Sequence, residues 1–281
     1  MRQANVAPDV DDASAEDSSP SFAPLGGRFI SRRRLVLRSA YWLASLLAPQ
    51  PRDRPTPVTA SVTRELDVVG FGAIRLVAAS ALLVGLITIF QAAYQLAPYG
   101  AEVVSARALA WFVAREIGPI VVAILVVARS AAAIAGEFSS MAANGEIDAL
   151  RVMGLDPVKY LVVPKLAALL IALPTLTAIA IMLAVIGGWL GMSVVLGYNT
   201  GLFLEYLHES LAARDVGVGL AKSVLFASII GIVAADEGLR VERRVSAIGA
   251  AATRSVVYCL LGVLGADTAV NAFVYFIPGL T

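Results

Sequence analysis

The chain of 281 residues contains one cysteine, Cys259, and one histidine, His208. A lone thiol in an apolar run excludes a disulfide framework, and one imidazole without companions excludes a Cys/His zinc cluster. His208 therefore reads as a polar loop residue. Charge is scarce as well: charged residues make up 15% of the chain, against about 25% in an average soluble domain. The formal net charge is +1, so no basic excess marks a nucleic-acid partner. There is no Gly-Lys-Ser/Thr phosphate loop and no serine paired with a histidine base. The sequence thus offers no catalytic set and implies no cofactor or metal, and any ATP used must be bound by another subunit. What is abundant is apolar: hydrophobic residues are 58% of the chain and mean hydropathy is +0.79. Long apolar runs of this kind predict an all-α integral membrane protein.

Residues 1–27 are rich in Asp, Ala, Ser and Pro without apolar periodicity and read as a disordered tail, not a signal peptide. Residues 28–57 differ. Arg28, Arg32, Arg33, Arg34 and Arg38 precede Tyr41, Trp42 and a leucine-rich stretch too short to span. This pattern suits a helix lying in the membrane interface. Pro49 to Pro57 then forms a proline-rich linker. Residues 58–281 make up the membrane domain. Its apolar segments run from about Leu76 to Ala97, Ala108 to Ala135, Tyr160 to Leu196, Val218 to Ala235 and Val256 to Ile277. The third exceeds the ~20 residues of a simple span. Its Pro174 and Gly187-Gly188 leave two readings, one long helix or two short ones.

Basic residues orient the chain. Ten of the 22 Lys and Arg residues precede Leu76, and Arg240, Arg243, Arg244 and Arg254 cluster before the last segment. The 97–107 and 198–217 connections carry only Arg107 and Arg214. Five spans follow, with the N-terminus cytoplasmic, the C-terminus periplasmic, and the third segment crossing once. Thr200 to Ala213 has a helical period and suits a short external helix.

Two polar features interrupt the apolar background. Arg115 and Glu116 lie inside the second segment, where each charge costs about 2.5–3.5 kcal/mol before pairing. Pro119 lacks the N–H that would bond the Arg115 carbonyl. These three residues read either as an ion pair at a kink or as a polar patch in a substrate cavity. Among later charges, Lys222 has the length to snorkel outward, and Asp267 has no evident partner. The second feature is Glu137 to Met153, where Phe138, Met141, Ala142, Gly145, Ala149 and Val152 share one helical face. Glu137, Ser140, Asn144, Asp148 and Arg151 share another, with Ile147 beside it. On the cytoplasmic side such a helix is either a connector resting on the membrane or a docking element for a cytosolic partner. Gly154 is a natural stop, and Asp156-Pro157 resets the chain before the third span.

The ordered block Arg115-Glu116-Ile117-Gly118-Pro119, Arg129, Glu137, Met141, Ile147-Asp148-Ala149-Leu150, Val152-Met153-Gly154, Asp156-Pro157 and Tyr160 to Pro164 resembles the MlaE/YrbE family. These are permease subunits of MCE-associated ABC lipid transporters. Gln91, Lys222-Ser223-Val224, Gly238, Thr253-Arg254 and Asp267 extend the resemblance over roughly residues 65–278. It implies an N-terminal interfacial helix, five transmembrane helices, and a cytoplasmic coupling helix between the second and third. It further implies a second permease copy, identical or not, in the bacterial inner membrane, with a cytosolic ABC ATPase and a periplasmic MCE-domain protein as partners. The substrate would be a phospholipid or a related hydrophobic molecule. On this resemblance Arg115, Glu116 and Pro119 would line the substrate cavity. Glu137, Ser140, Met141, Asn144, Glu146, Ile147, Asp148 and Arg151 would couple to the ATPase. Three places depart from the family pattern: Ala128 stands for a glycine, Asn144-Gly145-Glu146 for Thr-Glu-Gln, and Asp236-Glu237 for a Cys-Tyr-like pair. An ion-coupled secondary transporter and a membrane scaffold for a cytosolic enzyme remain alternatives. The first would normally show repeated halves, and the second has no need of charges at depth.

Overall fold

The computed structural model describes residues 58–101, 104–241 and 246–276. The expected tail (1–27) and the interfacial helix with its linker (28–57) lie outside the described residues. The described residues are helical throughout, joined by short turns. Five helices are long and apolar enough to cross a membrane. These are α1 (Ser61–Tyr99), α2 (Ser105–Ala143), α4 (Val158–Val195), α6 (Ala213–Leu239) and α7 (Ser246–Phe276). Two short helices join them, α3 (Glu146–Val152) between α2 and α4, and α5 (Thr200–Ser210) between α4 and α6. The bundle therefore has an α3 end and an α5 end.

The long apolar segment is one helix. Pro174 lies inside it without ending it, and Gly187 and Gly188 stay helical. The glycines act by proximity rather than by breaking the helix. A Cβ on Gly187 would strike the Leu82 carbonyl of α1, and one on Gly85 would strike the Ala184 carbonyl of α4. Reciprocal bare backbone lets α1 and α4 approach closely, the means by which membrane helices gain packing energy when lipid is as apolar as the side chains. Side chains such as Ile87, Met182 and Leu261 are exposed on the outside of the bundle, consistent with a lipid-facing surface.

The 137–153 stretch is not one helix, which corrects the sequence expectation. α2 runs to Ala143, and Gly145 takes φ +76° before α3 starts at Glu146. That left-handed conformation is cheap only without a Cβ. The faces drawn across 137–153 are therefore divided between two elements. α3 ends as the sequence implies: Met153 and then Gly154, at φ +76°, close it, and the Asp156 carboxylate accepts a 3.0 Å hydrogen bond from the Val158 N–H as α4 begins. At the opposite end Asn199 Oδ1 accepts from the Gly201 N–H at 2.7 Å and caps α5. The buried Phe203 ties α5 to Ile89, Leu109 and Met192.

Candidate functional site

α2 contains two wide turns, Val113–Ile117 and Val127–Ala131. In the first, the Gly118 N–H donates to the Val113 carbonyl five residues back. Pro119 follows immediately and is buried. The loosened turn is the local response to a residue that cannot donate. Arg115 and Glu116 fall within this turn, about three helical turns from the α5 end.

Adjacent residues on a helix point about 100° apart, so the two charges meet different partners. Arg115 Nη1 lies 3.6 Å from Asp215 Oδ1 on α6, and its guanidinium sits over the Trp111 ring at 5.7 Å. Glu116 instead meets Lys222 of α6, whose Nζ is 2.9 and 2.8 Å from the two carboxylate oxygens. Lys222 also reaches Asp267 Oδ1 at 2.9 Å and donates to Asn271 Oδ1 at 2.6 Å, both on α7. The Asn271 amide returns to Glu116 Oε2 at 3.0 Å and to Asp267 Oδ2 at 3.2 Å. Lys222 is 2% exposed and does not snorkel; Asp267 does have a partner. Both sequence expectations are corrected. The reason is depth: all four residues lie at one level of three packed helices, and pairing there avoids the cost of a lone buried charge.

Two carboxylates thus share one ammonium, beside a separate Arg115–Asp215 pair. Lys222 is consumed within the cluster, so the groups it leaves partly exposed in an otherwise apolar bundle are the Glu116 and Asp267 carboxylates. Sequence reading found Arg115, Glu116 and Pro119 but missed Asp215 and Asn271. The available signal was Asp267 and Asn271, four residues apart and so on one helical face.

At the α3 end a second ion cluster joins three helices. Lys165 Nζ of α4 lies 2.9 Å from both oxygens of Glu65 on α1 and 2.9 Å from Glu137 Oε2 on α2. Glu137 is therefore engaged within the chain rather than on a continuous docking face. Ile147, expected to enter a partner's groove, is 6% exposed and packs inward, a second correction. Its neighbours Met141, Leu150, Met153, Tyr160 and Leu161, with Glu146, line a groove of about 310 Å³ between α3 and the start of α4. Ser140 is half-buried, while Asn144, Glu146 and Arg151 are exposed; Arg151 pairs with Asp148 at 2.9 Å. The large apolar residues exposed at the end of α3 are Val152 and the Met153 that follows it.

The acidic departure at 236–237 is compensated inside the chain. Asp236 meets Arg240 at 2.9 Å, and Glu237 meets Arg254 of α7 at 3.1 Å.

Comparison with known proteins gives this geometry a family. The model of the family described as Permease MlaE matches residues 62–273. The chain belongs to the MlaE permease family. It is similar to a probable ABC transporter permease protein of Rickettsia typhi, 30% identical over 215 residues, 76% of this chain and 83% of the relative. It is also similar to the intermembrane phospholipid transport system permease protein MlaE of Haemophilus influenzae, 27% identical over 253 residues, 89% and 96% of the two chains. A likeness over a shorter stretch, 29% identical over 167 residues, is to the chloroplast protein trigalactosyldiacylglycerol 1 of Arabidopsis thaliana, covering 59% of this chain and 48% of the relative. As an MlaE permease with five membrane-length helices, the chain is a multi-pass membrane protein.

Proposed function

We propose that this MlaE permease is the membrane subunit of an ATP-driven lipid transporter in the bacterial inner membrane. A second permease copy completes it, a cytosolic ABC ATPase docks at the α3 end, and a periplasmic MCE-domain protein docks at the α5 end. The N-terminus is then cytoplasmic and the C-terminus periplasmic, in keeping with the placement of basic residues. The substrate is a phospholipid or a lipid of similar build, which agrees with the phospholipid transport for which the Haemophilus relative is named.

The observation that carries this reading is the Glu116–Lys222–Asp267–Asn271 cluster beside Arg115–Asp215. Charge balance alone would set one carboxylate against Lys222, and the cluster holds two, Glu116 and Asp267. It also lies near the end where lipid would leave for the periplasm. α3 supplies the opposite contact: Glu146, Asp148 and Arg151 are its polar groups, with Asn144 just before it, and Val152 with the following Met153 are its apolar ones. ATP binding would shift the cavity between two conformations through α3 and α2. Co-purification of the native complex tests the assembly: an ATPase and an MCE-domain protein should accompany the chain, with lipid detectable by mass spectrometry. Recovery of the chain alone, lipid-free, contradicts it.

One observation favours a second reading, an ion-coupled transporter: Glu116 and Asp267 share a single lysine. If an ionophore abolishes transport while ATP depletion does not, that reading replaces the first.

A further inference from the structure

Most basic side chains within the packed interior are matched by acids: Arg115 by Asp215, Lys165 by Glu65 and Glu137, Lys222 by Glu116 and Asp267. Arg129 is different. It occupies the second wide turn of α2, Val127–Ala131, is exposed, and has no hydrogen bond or ion pair among the described residues. Its guanidinium nevertheless has a seat. A Cβ on Gly72 of α1 would collide with Nη2, Nη1 and Cζ of Arg129, so the bare backbone at 72 is what lets the group lie on α1. Ser130 lines the same cleft, as do Glu65 and Glu137, whose carboxylates are both engaged by Lys165.

Arg75 lies three residues along α1 from Gly72, about 4.5 Å further by helical rise. It too is exposed and has no partner among the described residues. Leu76, the next residue, opens the long apolar run of α1. Two guanidinium groups without partners among the described residues thus flank Gly72, one on each of two helices, ahead of the long apolar run of α1.

We propose that Arg129 and Arg75, on either side of Gly72, form a binding site for the phosphate of a membrane lipid. The site lies between α1 and α2 on the side of the bundle facing the α3-end leaflet. The guanidinium fork suits a phosphate diester, which accepts two parallel N–H donors. Gly72 leaves room for the Arg129 guanidinium to lie against α1, next to the wide turn that carries it. The functional sense, a place where lipid is held before it moves toward the Glu116 cluster, rests on the transporter reading. The binding itself does not.

The test uses the full chain, delipidated in detergent, with native mass spectrometry after adding phosphatidylglycerol or diacylglycerol of the same acyl chains. Wild type should retain the phospholipid at least about tenfold better. Arg129→Gln should remove about tenfold of that preference, with Arg129→Lys restoring part of it, and Arg75→Gln should lower it further. Gly72→Val keeps both charges but displaces Arg129 and should also lower it, which separates a built site from general attraction. Arg64→Gln, an exposed arginine elsewhere on α1, should change nothing. The proposal is overturned if Arg129→Gln and Gly72→Val leave retention intact. It is equally overturned if Arg64→Gln matches their loss, or if millimolar inorganic phosphate displaces the lipid. Failure of ATP-driven transport would leave these binding ratios unaffected, so the two readings fail separately.

Discussion

The residue that holds the α5-end cluster together is Lys222. Removing it as Lys222→Met strands Glu116 and Asp267 side by side without a counter-charge. Breaking a buried pair this way costs about 3–5 kcal/mol, so a clear fall in the melting temperature of the detergent-purified protein is expected, with Lys222→Arg keeping most of the stability. An unchanged melting temperature would show that the carboxylates find other partners. Replacing Arg115 and Glu116 together by leucine is also expected to destabilise, because it leaves the buried Asp215 without Arg115. The charges at 115 and 116 were legible as polar residues in an apolar run, and so was the proline that follows. Their partners were not. Adjacent residues diverge around a helix, and which helix each one meets depends on packing that no local pattern encodes. Lys222 could be read as a snorkelling side chain because its length alone permits it; its depth among α2, α6 and α7 decides otherwise.

At the scale of elements, the 137–153 stretch shows how periodicity misleads. The apolar period continues through Asn144-Gly145, yet a single left-handed glycine splits the stretch into the end of α2 and the separate helix α3. Gly145→Val forces a β-branched residue to φ +76°, a cost of roughly 1–2 kcal/mol. It should weaken binding of the cognate ATPase in pull-down while membrane insertion stays intact. Asp148→Arg should weaken the same association by reversing a charge on α3; association equal to wild type for both variants would remove α3 from the docking surface. The close approach of α1 and α4 was only half legible. Gly187-Gly188 stood out as a candidate break, but glycine serves bending and close packing alike, and only the Leu82 carbonyl opposite shows which use applies. Gly187→Leu should therefore destabilise by about 1–3 kcal/mol or more, read as a loss of monodisperse protein on size exclusion. Monodisperse protein of unchanged stability would mean that α1 can move aside.

Taken whole, the molecule places two ion clusters at opposite ends of one helix. Glu116 and Glu137 both belong to α2 and are 21 residues apart in sequence, about 31 Å at 1.5 Å per residue. Glu116 ties α2 to α6 and α7, and Glu137 ties it to α1 and α4 through Lys165. A push on α3 therefore reaches α2 next to the Lys165 cluster, and a rigid α2 would carry it to the Glu116 cluster. The all-helical, five-span architecture was readable because apolar run length and basic-residue placement are whole-chain properties. The three-way ion contacts were not, since they join residues 28 to 155 positions apart.

Glu116→Gln tests the central claim most directly. It leaves Lys222 and Asp267 as a balanced pair and keeps a side chain able to hydrogen-bond, so the fold should be retained. The measurement is ATP-driven lipid transfer by the reconstituted complex, alongside melting temperature. The account predicts a loss of about tenfold or more in transfer, equivalent to ~1.4 kcal/mol, with stability near wild type. Transfer at the wild-type rate by a folded Glu116→Gln protein would make the cluster a structural clasp and contradict its role in handling lipid.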